Sequence, residues 1–185
     1  YPTPDTVARL YDELDFQRAV QAYLWAVPLV SFAQWQEEYE NVFGQQDGDL
    51  VLTTSFRDKL GILTANDTTP YVVGFLNLHR TGPLVIDYPK GQTAGGILDF
   101  WQRPIPVDGG KSAGDFGFFG PDQGKGGKFR LLPPGYKGEV PEAYFVCRSG
   151  TNPVLVFLRA FYAHASNPKP PADLLEPTKI SPPHD

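Results

Sequence analysis

The chain has 185 residues, 41% of them hydrophobic, and a formal net charge of −5 from 16 basic and 21 acidic side chains. The basic residues are scattered, so no Lys/Arg stripe is available to neutralise phosphates and a nucleic-acid surface is excluded. A single cysteine, Cys147, excludes an internal disulfide or a cysteine-rich zinc site, and the longest apolar run, residues 22–30, falls short of the ~20 residues of a membrane-spanning helix.

Thirteen Phe, nine Tyr and three Trp offer ample core material, so the 19 Gly and 19 Pro read as frequent turns between short strands, not as disorder. A chain of this length buries roughly 70% of its unfolded surface, enough for one domain without staples. The sequence begins at Tyr1 and contains no methionine. We therefore expect either a removed leader, which favours a periplasmic or secreted protein, or a piece of a longer polypeptide.

Residues 3–43 read as helical. Thr3 can cap, Pro4 suits the first helical position, and Asp5 meets the positive end of the dipole. Val7, Leu10, Tyr11 and Leu14 mark one helix face; a second helix is expected from about Asp15, with Phe16, Val20, Tyr23 and Val27 on one side. Residues 22–30 are apolar all round, which predicts burial on every side, and Pro28 should kink or break the helix. Gly44 is the expected stop.

Beyond Gly44 the pattern becomes that of strands. "YVVGFLNLHRTGPLVIDYP" (71–89) reads as a hairpin around "HRTG", and runs at 95–101, 127–132, 143–149 and 153–162 follow between Gly, Pro and Asn punctuation. Strands in succession predict an α+β fold: N-terminal helices packed on a mostly antiparallel β-sheet or sandwich. The expected domain covers residues 1–165, helical over 3–43 and β-rich over 50–165, with 166–185 a Pro-rich tail or linker.

"GPDQGKGGKF" (120–129) is rich in Gly and Lys, as phosphate loops are. A phosphate loop needs a helix N-terminus behind its converging N–H groups. Here "FRLLPP" follows, which is strand and then turn, so the loop is expected to be a bend entering a strand.

"GPDQGKGGKFRLLPPGYKGEVPEAYFVCRSGTNPVLVFLRAF" resembles the family known as domain of unknown function 1254. So do "LYDELDFQRAVQAYLWAVPLV" near the start, "LTANDTTPY" at 63–71 and "DFWQRP" at 99–104. The resemblance spans the chain to about residue 165 and implies a β-rich fold, often followed by a second domain, domain of unknown function 1214. Nothing after Ser166 resembles that second domain.

The residues able to carry chemistry are few. His79, His164 and His184 are far apart, with no His-based metal spacing; no metal site or cofactor is called for, although a carboxylate-only calcium site stays open. There is no Gly-x-Ser-x-Gly elbow. Cys147 alternates with Phe145 toward one side of a strand, away from Arg148, and reads as a small buried hydrophobe.

Charge within apolar strands is more informative. Leu155, Phe157, Arg159 and Phe161 share one side of an apolar strand, so Arg159 should be partly buried and paired with a carboxylate (Asp99, Asp67 or Asp87) or a bound anion. Asn66, Asp67, Thr68 and Thr69 either bond to local backbone or fix a polar ligand at a strand entrance, with Tyr71, Trp101 and Tyr144 as aromatic walls. Two functions are expected from these patterns. One is a small-molecule-binding or assembly module with a polar pocket at residues 66–71 and Arg159, its ligand-binding residues Asn66, Thr68, Tyr71, Trp101 and Arg159. The alternative is a hydrolase or lyase using Asp67 and Asp99 with Arg159. Expected partners are a small polar or anionic ligand, and either a second copy of the chain or a C-terminal partner domain.

Overall fold

Thr3 starts the first helix as the sequence implies: its hydroxyl accepts the Thr6 N–H at 3.3 Å, with Pro4 and Asp5 in the first turn. The computed structural model describes residues 1–53, 71–107, 115–161, 172–173 and 176–183. Helix α1 (Pro4–Phe43) then runs 40 residues, about 60 Å at 1.5 Å per residue, to Gly44 in the left-handed conformation. It is one helix, where the sequence suggested two, and Pro28 lies inside it without ending it. The local geometry at Pro28 is braced from outside: its carbonyl accepts from Ser31 Oγ at 2.9 Å and from Gln102 Nε2 at 3.0 Å.

The expectation that residues 22–30 are buried on every side fails within the single chain. Only Phe32 and Tyr39 of α1 are buried, whereas Tyr23, Leu24, Trp25 and Val30 are exposed. The reason is length. Strands of seven or eight residues present a surface of roughly 25 Å at 3.3 Å per residue, so only the C-terminal part of α1 finds a sheet to cover.

The strands are β1 (Val51–Thr53), β2 (Tyr71–Asn77), β3 (Leu84–Tyr88), β4 (Thr93–Asp99), β5 (Asp115–Gly117), β6 (Gly127–Leu132), β7 (Phe145–Arg148), β8 (Pro153–Ala160) and β9 (Lys179–Ser181), with a short α2 (Leu78–Thr81) between β2 and β3. They form sheet A, in the order β1-β2-β8-β4-β5, and sheet B, in the order β7-β6-β3-β9. Every pairing is antiparallel except β6 with β7. The architecture is thus α+β, a helix on a mostly antiparallel sandwich.

The 71–89 segment is not a hairpin. β2 pairs with β1 and β8 in sheet A, and β3 pairs with β6 and β9 in sheet B. α2 and Gly82, at φ +72°, carry the chain from one sheet to the other. His79 sits exposed on α2. β9 comes from the stretch read as a Pro-rich tail; Ile180 pairs with Ile86 and packs on the core.

Alternation sorts the side chains of sheet A onto two faces. Val72, Leu76, Val156 and Leu158 face sheet B, where Ile86, Phe129, Leu131 and Cys147 meet them in the main core. Cys147 is fully buried there, as alternation implied. Val73, Phe75 and Leu155 face α1 and meet Phe32 and Tyr39 in a second cluster. No described helix is long and apolar enough to cross a membrane.

Candidate functional site

Two places bear on function: the α1-facing surface of sheet A and the glycine-rich loop.

On the first, Phe32 and Trp35 of α1 stand beside Tyr71 and Val73 of β2 and Leu155 and Phe157 of β8, lining a cavity of about 290 Å³ that opens to solvent. That volume sits at the lower edge of small-molecule pockets. Leu98 of β4 closes one side, and Gln102 supplies a polar group. Arg159, two residues beyond Phe157, is opposite Tyr71 in the β2–β8 register, and its guanidinium carbon lies 5.2 Å from the centre of the Tyr71 ring. A cation thus lies over the ring of Tyr71, which lines the cavity, while Arg159 itself is not part of the lining.

Asp99 has a different role from the one anticipated. Its carboxylate accepts the backbone N–H groups of Trp101 at 2.9 Å and Arg103 at 3.0 Å, and pairs with the Arg103 guanidinium at 2.6 Å. This fastens the turn after β4, where Gln102 adopts a positive φ of 61°. From that turn Gln102 Nε2 donates to Pro28 O and, at 2.7 Å, to Ser31 Oγ on α1. Asp99 therefore helps to hold the helix over the cavity. It cannot neutralise Arg159: Asp99 pairs with Val154 and Arg159 with Ala94, five positions or about 17 Å apart along the strands.

The other nominated residues separate similarly. Trp101 packs against Trp25, ring centres 4.7 Å apart and tilted at 48°, and does not line the cavity. Tyr144 lies under Arg130 on sheet B, and Asp87 is exposed on β3, opposite Lys128 and Lys179. Asn66, Asp67, Thr68 and Thr69 lie outside the described residues, as do His164 and His184. Of the proposed ligand contacts, Tyr71 and Arg159 come together; the catalytic grouping of Asp67 and Asp99 with Arg159 does not form around Asp99. Among the described residues no group of three His, Cys, Asp or Glu could hold a metal ion.

Sequence reasoning missed Phe32, Trp35 and Gln102, although Phe32, Trp35 and Tyr39 recur at helical spacing. It also passed over Arg130, only 2% exposed, in "GKFRLL".

The glycine-rich loop is a series of turns leading into β6, as expected. It does enclose an anion, but one of its own. The buried Asp122 carboxylate accepts the N–H of Gly117 at 2.8 Å and of Gly126 at 3.3 Å. Gly126 has φ +76°, and a Cβ there would press on the Tyr88 carbonyl and the Lys90 amide. The Tyr88 hydroxyl beside this loop donates to Thr93 Oγ1 at 2.6 Å, and burial pushes its pKa up to about 12.

Burial also raises the pKa of Asp122, the loop's N–H groups opposing it, and that of Asp115 on β5. A carboxyl whose pKa is higher folded than unfolded contributes stability below its unfolded value, near 3.8, and loses it as pH rises through the folded value. Asp115→Asn is therefore expected to make stability climb more steeply with pH above about 4 than in the parent protein. Urea midpoints at several pH values check this; an unchanged slope contradicts it.

The sequence model of a family described as "Protein of unknown function (DUF1254)" matches residues 49–181, most of the chain. The chain belongs to this family. The matched range starts just after α1 and contains both sheets, including Tyr71, Gln102 and Arg159. Among solved structures, the VPA0106 protein from Vibrio parahaemolyticus is similar in fold, with a TM-score of 0.60 at 17% identity. The match covers 86% of this chain but 36% of that one, so this chain spans only about a third of that protein's length. No curated protein matches.

Proposed function

We propose that this DUF1254 domain is a small-molecule-binding module whose ligand is a small amphipathic carboxylate. Its apolar part occupies the cavity between α1 and sheet A, and its charged end meets Arg159. The observation that supports this reading is a guanidinium over the ring of Tyr71, a residue that lines a largely apolar cleft. Apolar lining supplies most of the binding free energy of such a ligand, and the few polar groups fix its orientation. A guanidinium carries five N–H donors in a plane, enough for its protein contacts and a ligand carboxylate together. Gln102, whose amide nitrogen is bonded to α1, also lines the cavity.

The pocket is therefore less polar than the sequence implied, and the ligand more so at one end than the other. Isothermal titration with octanoate and with octanol tests the proposal. Octanoate is expected to bind and octanol to bind at least tenfold more weakly, with Arg159→Gln erasing the difference. Equal affinities for the two, or no binding of either, would overturn it.

A further inference from the structure

We propose that the outward face of α1 is an interface with a second copy of this chain, the two helices pairing antiparallel. Phe16, Val20, Tyr23, Val27 and Val30 recur at alternating spacings of four and three, the pattern of a coiled-coil seam. At 100° per residue this stripe lies on the side of α1 away from Phe32 and Tyr39, which cover sheet A. All five are exposed: Phe16 by 71%, Val20 by 41%, Tyr23 by 72%, Val27 by 42% and Val30 by 58%.

Three features identify the occupant as a second copy. First, the stripe is complementary to itself. In an antiparallel pair centred between Gln21 and Ala22, Phe16 faces the partner's Val27 and Val20 faces the partner's Tyr23. The two-fold axis repeats both layers, so each sets one aromatic ring against one valine, the large-against-small alternation that fills space without voids.

Second, residues 19–36 carry no Asp, Glu, Lys or Arg. The centre of a buried interface is depleted of charge in the same way, and in this register charge enters only at the two ends of the seam, where Val30 faces the partner's Glu13. Ala19 and Ala26 flank it and permit close approach of the helices.

Third, the stripe supplies much of the area that a dimer needs. At about 150–250 Å² per buried aromatic side chain, Phe16 and Tyr23 with three valines supply several hundred Å² per copy. A stable interface needs about 800 Å² per partner, and exposed neighbours such as Leu24 lie beside the stripe to supply the remainder. A lone helix apolar on its solvent side is unstable in water, so this arrangement also accounts for residues 22–30 being apolar all round.

Size-exclusion chromatography with light scattering on the full chain at micromolar concentration tests the proposal. A dimer is expected, converted to monomer by Val20→Glu with Val27→Glu while the far-ultraviolet circular dichroism stays unchanged. An equimolar mixture of Val20→Cys and Tyr23→Cys proteins is expected to cross-link on mild oxidation, well beyond either protein alone. A monomer at about 100 µM, far above the Kd of ordinary stable dimers, would overturn the proposal. So would a dimer that survives the paired glutamates, or a monomer that binds phosphatidylcholine vesicles through this face. Equal cross-linking of each cysteine protein alone would overturn the antiparallel arrangement.

Discussion

Asp122→Ala is expected to lower the unfolding free energy by about 2–4 kcal/mol, since a buried donor left without its acceptor costs about 1–3 kcal/mol and a half-buried one less. The carboxylate is buried and organises both ends of the glycine-rich loop through the Gly117 and Gly126 N–H groups. Removing it leaves the buried Gly117 donor and the half-buried Gly126 donor without their acceptor, in the loop that connects β5 of one sheet to β6 of the other. For a chain of this size the midpoint of thermal unfolding should fall by roughly 10 °C. Asp122→Asn keeps one acceptor oxygen but sets an NH₂ group against a donor, so an intermediate loss is expected. Urea unfolding of the two variants checks this order. A loss below 1 kcal/mol for the alanine variant would mean that the loop satisfies its donors by other means.

The other large effect lies in the main core. Phe129→Ala should cost about 3–5 kcal/mol, the usual range for emptying a buried phenylalanine site. Phe129 is fully buried, and its ring lies 4.2 Å from Phe116, 4.9 Å from Phe145 and 6.2 Å from Tyr88. Phe116 belongs to sheet A and the other three to sheet B, so the lost ring is part of what joins the two sheets. Phe129→Leu, which retains much of the volume, should cost less than half as much. Equal losses for both variants would point to a specific role for the aromatic stack, whereas a small loss for alanine would mean that the neighbouring rings close the gap.

Local signals in the sequence carried much of the architecture. The Thr3–Pro4–Asp5 start, the Gly44 stop and the alternation in β8 each depend on neighbours within a few residues, and each appears in the structure as read. What failed depended on distant partners. "HRTG" between two apolar runs looks like a hairpin turn, yet whether β2 and β3 pair is decided by β8 and β6 competing for their edges. The apolar girdle at residues 22–30 implied burial, but α1 is longer than the sheet it covers.

The candidate site was legible to the same degree. Arg159 and Tyr71 were identifiable because charge inside an apolar strand, and an aromatic at a strand entrance, are visible locally. Asp99 was expected as a partner of Arg159 or as a catalytic carboxylate. Its role comes from a turn that brings Arg103, four positions on, back onto it, which alternation alone does not reveal. Phe32 and Trp35 belong to the cavity only because α1 crosses sheet A where it does.

Amide and indole chemical shifts of the labelled protein, followed by NMR during an octanoate titration, test the cavity most directly. Saturable shifts should appear at the Trp35 indole N–H, at Tyr71 and Phe157, and at the Arg159 side chain, leaving the Asp122 loop still. Shifts that never saturate, or that gather on the outer surface of sheet B, would contradict a ligand site beneath α1.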